Sequence, residues 1–396
     1  MSKVQLTKGI YWVGAIDWNV RDFHGYSVET GTTFNAFLII DEKVVLIDTV
    51  KANFGQEILQ KIGEIIEPQK IDYLISNHVE MDHSGSLPAL MEAIGDCKLI
   101  TSKMGKVGLS RHFKKEWPFQ IVKTGDELDL GKKTLQFIEA PMLHWPDSMC
   151  TYVKEDGLLF STDIFGQHVA TSYRFDDEAH DINLMYDAKK YYANIFMPYP
   201  TMFLKFAEKI TETNIQLRMI APDHGLIWRK EPQKIFNAYV EWSEGKSRKK
   251  IVVVYDTMWG STEKMAMAII KGIMEEGVEA KLMNLRRSHR SDVATEILDA
   301  KGIVLGSPTI HRDIFPTLGD FLVYMRGLRP KNKIAAAFGS YGWGGEAVKI
   351  LNKGLEEIGF EVIDEEIRIH YIPDEAELQT CIELGRKMAK KVRERQ

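Results

Sequence analysis

The sequence predicts an α/β protein of two domains, a layered α/β domain with many loops at its strand ends followed by a doubly wound parallel sheet. Three observations carry that expectation. The chain is 396 residues long, beyond the usual reach of one core. A polar, basic stretch from Gly245 to Lys250, within "SEGKSRKKIVVVYDT", reads as a linker or turn, and the apolar run from Ile251 to Tyr255 reads as a new strand. Beyond it, strands and helices alternate as five βα units. The expected domains are therefore 1–248 and 249–396.

In the first domain "FNAFLII", "KVVLID", "IDYLIS" and "TLQFIE" read as short strands. "FGQEILQKIGEII" reads as a helix, because Phe54, Ile58, Ile62 and Ile65 fall on one stripe, and "GSLPALMEAIG" opens another. In the second domain the order is strand 251–256, helix from Ser261, strand 279–284, helix near 293, strand 302–306 and helix near 316. Strand 333–339, a helix from Gly344, strand 360–368 and a last helix from Asp374 complete it; Leu378, Cys381, Ile382 and Met388 form the buried face of that helix. No internal repeat or low-complexity tract interrupts either half.

Composition removes several function classes. Net charge is -5 with both signs interleaved, so no basic face offers itself to nucleic acid. Cys97, Cys150 and Cys381 are odd in number, far apart and form no CxxC, which argues against a disulfide framework, an iron–sulfur site or a rubredoxin-type tail. The opening "MSKVQLTKGIYWVGAIDWN" has no apolar core before a cleavage site, and no apolar run is long enough to cross a bilayer. The expectation is a cytoplasmic protein without a membrane partner.

The densest chemistry is "NHVEMDHSG", where His78, Glu80, Asp82 and His83 follow the strand "IDYLIS". Side chains on a loop at a strand's carboxyl end can converge, whereas a strand sends alternate residues apart. Any one such residue is most often a solvated polar group. Their density, and three later residues at apparent strand ends, His144 in "APMLHWPDS", Asp163 in "LLFSTDIFG" and His224 in "MIAPDHGLIW", shift the reading to a metal site, mononuclear or dinuclear. Imidazoles with carboxylates suit zinc, iron or manganese.

The second domain carries three loops of a different kind. "TMWGST" (Thr257, Met258, Trp259, Gly260, Ser261, Thr262) opens a helix with hydroxyls and a glycine, which suits a phosphate without any lysine. Neither GxxxxGK[ST] nor GxGxxG is present, so nucleoside triphosphate and NAD are poor candidates. Ser307, Pro308, Thr309 and Ile310 follow the third strand, and Ser340, Tyr341, Gly342, Trp343, Gly344 and Gly345 follow the fourth, where doubly wound sheets bind ligands. Trp259, Tyr341 and Trp343 offer aromatic walls for a planar ring.

HxExDH followed by His144, Asp163 and His224 resembles the metallo-β-lactamase-like core in the version found in flavodiiron proteins, and the three later loops resemble flavodoxin. The resemblance covers nearly the whole chain. It implies an N-terminal metallo-β-lactamase-like αββα sandwich and a C-terminal flavodoxin-like doubly wound parallel sheet of strand order 2-1-3-4-5. It also implies FMN and two non-haem Fe ions, with His78, Glu80 and His144 on one iron, Asp82, His83 and His224 on the other, and Asp163 bridging. His24 in "RDFHGYS" and Tyr192 in "KKYYANIFM" match positions beside the metals, from which either could hydrogen-bond the substrate. His112, His180, His289 and His370 are left as structural or surface residues.

Hydrolases of the superfamily usually carry histidine where this chain has Glu80. The three carboxylates bring about three negative charges, which suits a metal that must reach a higher oxidation state, and zinc has no redox chemistry. The implied activity is reduction of dioxygen to water or of nitric oxide to nitrous oxide. Electrons would come through FMN from an external donor, rubredoxin or a flavin reductase, in a head-to-tail homodimer or a dimer of dimers. A dinuclear metallohydrolase with a flavodoxin-like docking domain is the alternative, and a non-catalytic electron carrier a third reading. One departure is the basic pair His311 and Arg312, near which relatives often carry asparagine; it would act on flavin potential or donor docking.

Overall fold

The computed structural model describes residues 4–213, 215–363 and 366–395. The chain divides into two compact units. One holds the chain up to His24, Val28–Tyr192 and Tyr199–Val240; the other holds Gly25–Ser27, Ala193–Pro198 and the chain from Glu241 on.

In the first unit a seven-stranded sheet runs in the order Val4–Thr7, Ile10–Trp12, Phe37–Ile40, Val44–Ile47, Tyr73–Ile75, Lys98–Thr101 and Phe119–Ile121. A five-stranded sheet runs Glu127–Asp129, Thr134–Glu139, Met149–Val153, Leu158–Phe160 and Met219–Ala221. Strand alternation gives each sheet two faces. Phe37, Ile39, Val45 and Ile47 share one core cluster with Phe137, Met149, Val153 and Phe160 of the other sheet. The intervening Leu38 and Leu46, with Leu74 and Leu99, pack instead against Ile58 and Ile62 of the helix Gly55–Gly63 and Leu87, Leu90 and Ile94 of the helix Leu87–Ile94. Each of these isoleucines, fully buried, contributes roughly 1.5–3 kcal/mol relative to exposure. Helices Pro200–Glu212 and Pro232–Ser243 bring Phe203, Phe236 and Tyr239 against Phe165, giving the αββα sandwich its other helical side.

The second unit is a parallel sheet in the spatial order Glu279–Asn284, Arg248–Tyr255, Ala300–Gly306, Ile334–Tyr341 and then Glu361–Val362, with Ile367–His370 also on Ile334–Tyr341. In chain order that is 2-1-3-4-5. Its first strand begins at Arg248, inside the stretch the sequence suggests is a linker, because Lys250 is buried with its ammonium on Glu296 and Asp299. The helix expected from Gly344 starts at Ala347, after the two glycines have completed the loop. The expected strand 360–368 is two short pieces, and residues 364 and 365 of it lie outside the described residues. Among the described residues no helix is long and apolar enough to cross a membrane.

Candidate metal centre and cofactor pocket

The cluster sits where parallel strands end. His78 and Glu80 follow Tyr73–Ile75, Asp163 follows Leu158–Phe160 and His224 follows Met219–Ala221. His144 lies between Thr134–Glu139 and Met149–Val153. Asp82 and His83 are not on an open loop but on a one-turn helix, Met81–Ser84, held by Thr49, whose amide donates to the His83 carbonyl at 3.0 Å. Buried Asp48 accepts from both the amide and the side chain of Asn77, each at 2.7 Å, which fixes the chain one residue before His78.

The two oxygens of Asp163 divide the cluster. Oδ2 is 3.5 Å from His78 Nε2 and 3.0 Å from His144 Nε2, and Glu80 Oε2 is 3.3 Å from each of those nitrogens. Oδ1 is 3.2 Å from His83 Nε2 and 3.5 Å from His224 Nε2, and Asp82 Oδ2 is 3.3 Å and 3.2 Å from the same two. Ligands bonded to one ion at about 2.0–2.2 Å stand roughly 3.0–3.5 Å apart, whether octahedral or tetrahedral. The donor spacing is therefore that of two shells around two ions.

The imidazole tautomers support the same conclusion. His78 Nδ1 is 3.0 Å from Asp147 Oδ2, and His224 Nδ1 is 2.7 Å from the Thr33 carbonyl, which can only accept. With a ring proton on Nδ1 committed to these acceptors, each Nε2 is the atom left to ligate a cation held among the carboxylate oxygens. Both oxygens of Asp82 and both ring nitrogens of His83 are buried without a hydrogen-bond partner among the described residues. Leaving such atoms unsatisfied costs about 1–3 kcal/mol each. These donors fit a pair of metal ions.

Burial alone would neutralise every group here, but their mutual attraction prevails. Its hydrogen bonds to Asp147 and Glu80 and the charges around it hold His78 above the usual imidazole range, and His83 and His144 are raised likewise by their carboxylates. Those imidazoles in turn hold Glu80, Asp82 and Asp163 below the usual carboxylate range. Behind them, burial pushes Asp48 up to about 6 despite its bonds to Asn77, and pushes Asp223 well up.

Around the cluster the structure adds residues that the sequence reading does not name. Asp147 orients His78 and also accepts from the Val79 amide at 2.8 Å. His168 is buried with its ring 4.7 Å from that of His224 and its Nδ1 2.8 Å from Thr32 Oγ1. Burial first, then the neighbouring His224, pushes it well below the usual imidazole range. Tyr191, next to the expected Tyr192, donates its hydroxyl to Asp163 Oδ1 at 3.0 Å, and the Tyr192 ring packs 4.9 Å from that of Tyr239. Helical rotation puts the neighbours on different faces, and the sequence "YY" does not say which one turns inward. His24 stands at a tight turn in the left-handed region, φ 55°, with Nε2 3.4 Å from Glu80 Oε1 and three quarters of its side chain exposed.

In the second unit a cavity of about 660 Å³ opens at the carboxyl ends of the parallel strands. Of the expected residues, Thr257, Met258, Trp259, Ser261, Pro308, Thr309, Ser340, Tyr341, Gly342 and Trp343 line it. The others shape its loops. Gly260 takes φ 88° before the helix Ser261–Glu275, with open space where a Cβ would stand. Thr262 and Ser340 share a hydroxyl contact at 2.9 Å, and the Ser307 hydroxyl accepts from the Phe315 amide at 2.9 Å. Ile310 closes a tight turn on Asp313 whose two central residues, His311 and Arg312, both have positive φ. Gly344 and Gly345 lead to the next helix.

Tyr371 and Ile372 also line the cavity and are missing from the sequence reading. They follow Ile367–His370, so applying the strand-end rule to a fifth strand would have found them. A helix N-terminus with hydroxyls for a phosphate and aromatic walls for a ring fit FMN in kind, and the volume is typical of cofactor sites.

Comparison with known proteins agrees with both halves. The ODP family beta lactamase description matches residues 32–225, and flavodoxin matches 253–385. A nitric oxide reductase of Moorella thermoacetica is 49% identical over 393 residues, 98% of each chain. The solved rubredoxin oxygen:oxidoreductase of Desulfovibrio gigas superposes with a TM-score of 0.96 at 42% identity, covering 99% of both chains. A solved flavodiiron protein from Giardia intestinalis gives a TM-score of 0.96 at 34% identity, over 100% of this chain and 97% of that one.

Proposed function

This chain belongs to the flavodiiron proteins, and from that premise we propose that it reduces dioxygen to water, nitric oxide to nitrous oxide, or both, at a non-haem diiron site supplied with electrons through FMN. The observation that carries the reading is the division of Asp163, one oxygen to each of two donor sets, one fully buried and one half-buried. His78, Glu80 and His144 would hold one iron and Asp82, His83 and His224 the other, with Asp163 offering an oxygen to each set. When bound, the irons and FMN supply the electron storage that these reductions need, and the irons add Lewis-acid stabilisation of negative charge on oxygen.

The chain's own residues do the rest. Asp147 and the Thr33 carbonyl keep His78 and His224 in the tautomer that leaves Nε2 available. The Tyr191 hydroxyl steadies Asp163, so the bridge keeps both sets in register. Reduction to water or to nitrous oxide consumes protons as well as electrons, and His24 Nε2, exposed yet beside Glu80, holds one at the mouth of the site.

In the second unit the Ser261 helix terminus would take the FMN phosphate, with Trp259, Tyr341 and Trp343 available beside its ring. Trp259 and Trp343 are 94% and 89% exposed, an apolar rim for protein contact around a redox cofactor. On this reading that rim serves a head-to-tail homodimer and an external donor of the rubredoxin type.

The test is to count iron, zinc and FMN in anaerobically purified protein and then follow reoxidation of the reduced flavin by each gas. About two irons and one FMN per chain, with fast reoxidation by dioxygen or nitric oxide, is expected. Zinc in place of iron, or a flavin indifferent to both gases, would instead favour the hydrolase.

A further inference from the structure

A second pocket, of about 410 Å³, opens in the metal-bearing unit and shares no residue with the metal cluster. Trp12, Trp18, Ile16 and Ile65 give it apolar walls, and two cations, Lys61 and Arg174, form part of its lining. The cations differ in how they are compensated. Lys61 is already tied to Glu57 at 2.7 Å and to the Gly14 carbonyl at 2.5 Å.

Arg174 is only 5% exposed and forms no ion pair among the described residues. Its Nη2 donates to the Thr171 carbonyl and its Nη1 is buried without a partner. Glu178, the nearest acid in sequence, accepts from the Arg174 amide and pairs its other oxygen with Arg229 at 3.3 Å. What lies against the guanidinium is the Trp12 ring, 4.6 Å away, over which Lys61 also sits at 4.4 Å. Arginine is almost never this deeply buried unless paired. Burial pulls its pKa down to about 10, only partly offset by Glu178.

We propose that this pocket binds a small organic monoanion, a carboxylate carried on a flat apolar body, with the carboxylate on Arg174 and the body between the walls of Trp12 and Trp18. The volume is in the range of small-molecule sites, and a guanidinium without an ion-pair partner among the described residues supplies the polar anchor that such sites use for orientation. Glu57 and Glu64 also line the pocket, so a second negative charge on the ligand would face like charge.

Isothermal calorimetry of the cofactor-loaded full chain with 2-naphthoate, against its neutral twin 2-naphthamide, tests this. Saturable binding at least about tenfold tighter for the carboxylate is expected. Arg174→Met should erase that preference, and Ile65→Trp, which fills the pocket while leaving Arg174 in place, should abolish binding of both probes. Should Arg174→Met fail to fold, the probe pair and Ile65→Trp decide alone. Equal affinity for the two probes, absence of saturation, or naphthoate binding unchanged in Ile65→Trp would each overturn the proposal.

Discussion

At the metal cluster every recognition group is a side chain, and His78, Asp82, His83, Asp163 and His224 are all at most 5% exposed. At the cofactor cavity small hydroxyl residues and a glycine share the wall with large side chains from four loops, and its two tryptophans stand almost entirely in solvent. Buried opposite charges depend on each other for compensation, so removing one leaves another uncompensated. A cavity formed by loops spreads recognition over many weak contacts. The difference teaches that the first site should fail as a unit and the second by degrees.

The largest effect should come from Asp163→Asn, which removes the charge shared by both donor sets. Loss of about 3 kcal/mol or more, two orders of magnitude in metal affinity, is expected with FMN content unchanged. Metal and flavin analysis of the purified variant checks it, and loss of only one iron would break the picture of a single unit. Asp147→Asn should come next, since it frees the tautomer and ring orientation of His78; metal affinity should fall by about 10–100-fold. Competition with a chelator measures this, and an unchanged affinity would reduce Asp147 to a packing residue.

A third effect concerns pH in metal-free protein. His78, His83 and His144 are raised above 6.5, so their stabilising contribution is complete below that value and is lost as pH climbs through their folded values. Asp48, raised from 3.8 to about 6, acts in the same direction between those two values. Glu80, Asp82 and Asp163, being lowered, lose their contribution only as pH falls below the ordinary carboxylate range. Raising pH from 6.5 should therefore cost metal-free protein at least about 1 kcal/mol, roughly 2–4 °C in Tm, and the metal-loaded protein much less. Parallel thermal scans across that range decide it, and equal slopes would contradict the electrostatic account.

Trp343→Ala tests the graded site: FMN affinity should weaken about five- to tenfold, with the metal count unchanged, as read by flavin fluorescence titration. The smallest effect should be Tyr191→Phe, which deletes one hydrogen bond to Asp163 and should cost about 0.5–1.5 kcal/mol of metal binding. Tyr192→Phe is its companion, and a larger loss there would return the role to the residue the sequence suggested.

The contrast also explains what could be read from the chain. His78, Glu80, Asp82 and His83 were visible because they crowd one short segment, and strand alternation exposed both sheets. Asp147 was not visible, because it is an ordinary loop aspartate until the fold lays it on His78. Tyr371 was hidden by a fifth strand that is broken in two, and Arg174 by its look of an ordinary polar residue beside "FDDE".

The sequence by itself determined the two α/β units and a crowding of histidines and carboxylates at strand ends, because periodicity and residue chemistry are local properties; the strand order of the second unit was implied by its resemblance to flavodoxin. Only the tertiary structure decided which oxygen of Asp163 faces which histidines, which of two adjacent tyrosines reaches them, and that Arg174 is buried without a carboxylate partner. Those depend on distances between residues far apart in the chain, and such distances arise only when the sheets and loops have packed.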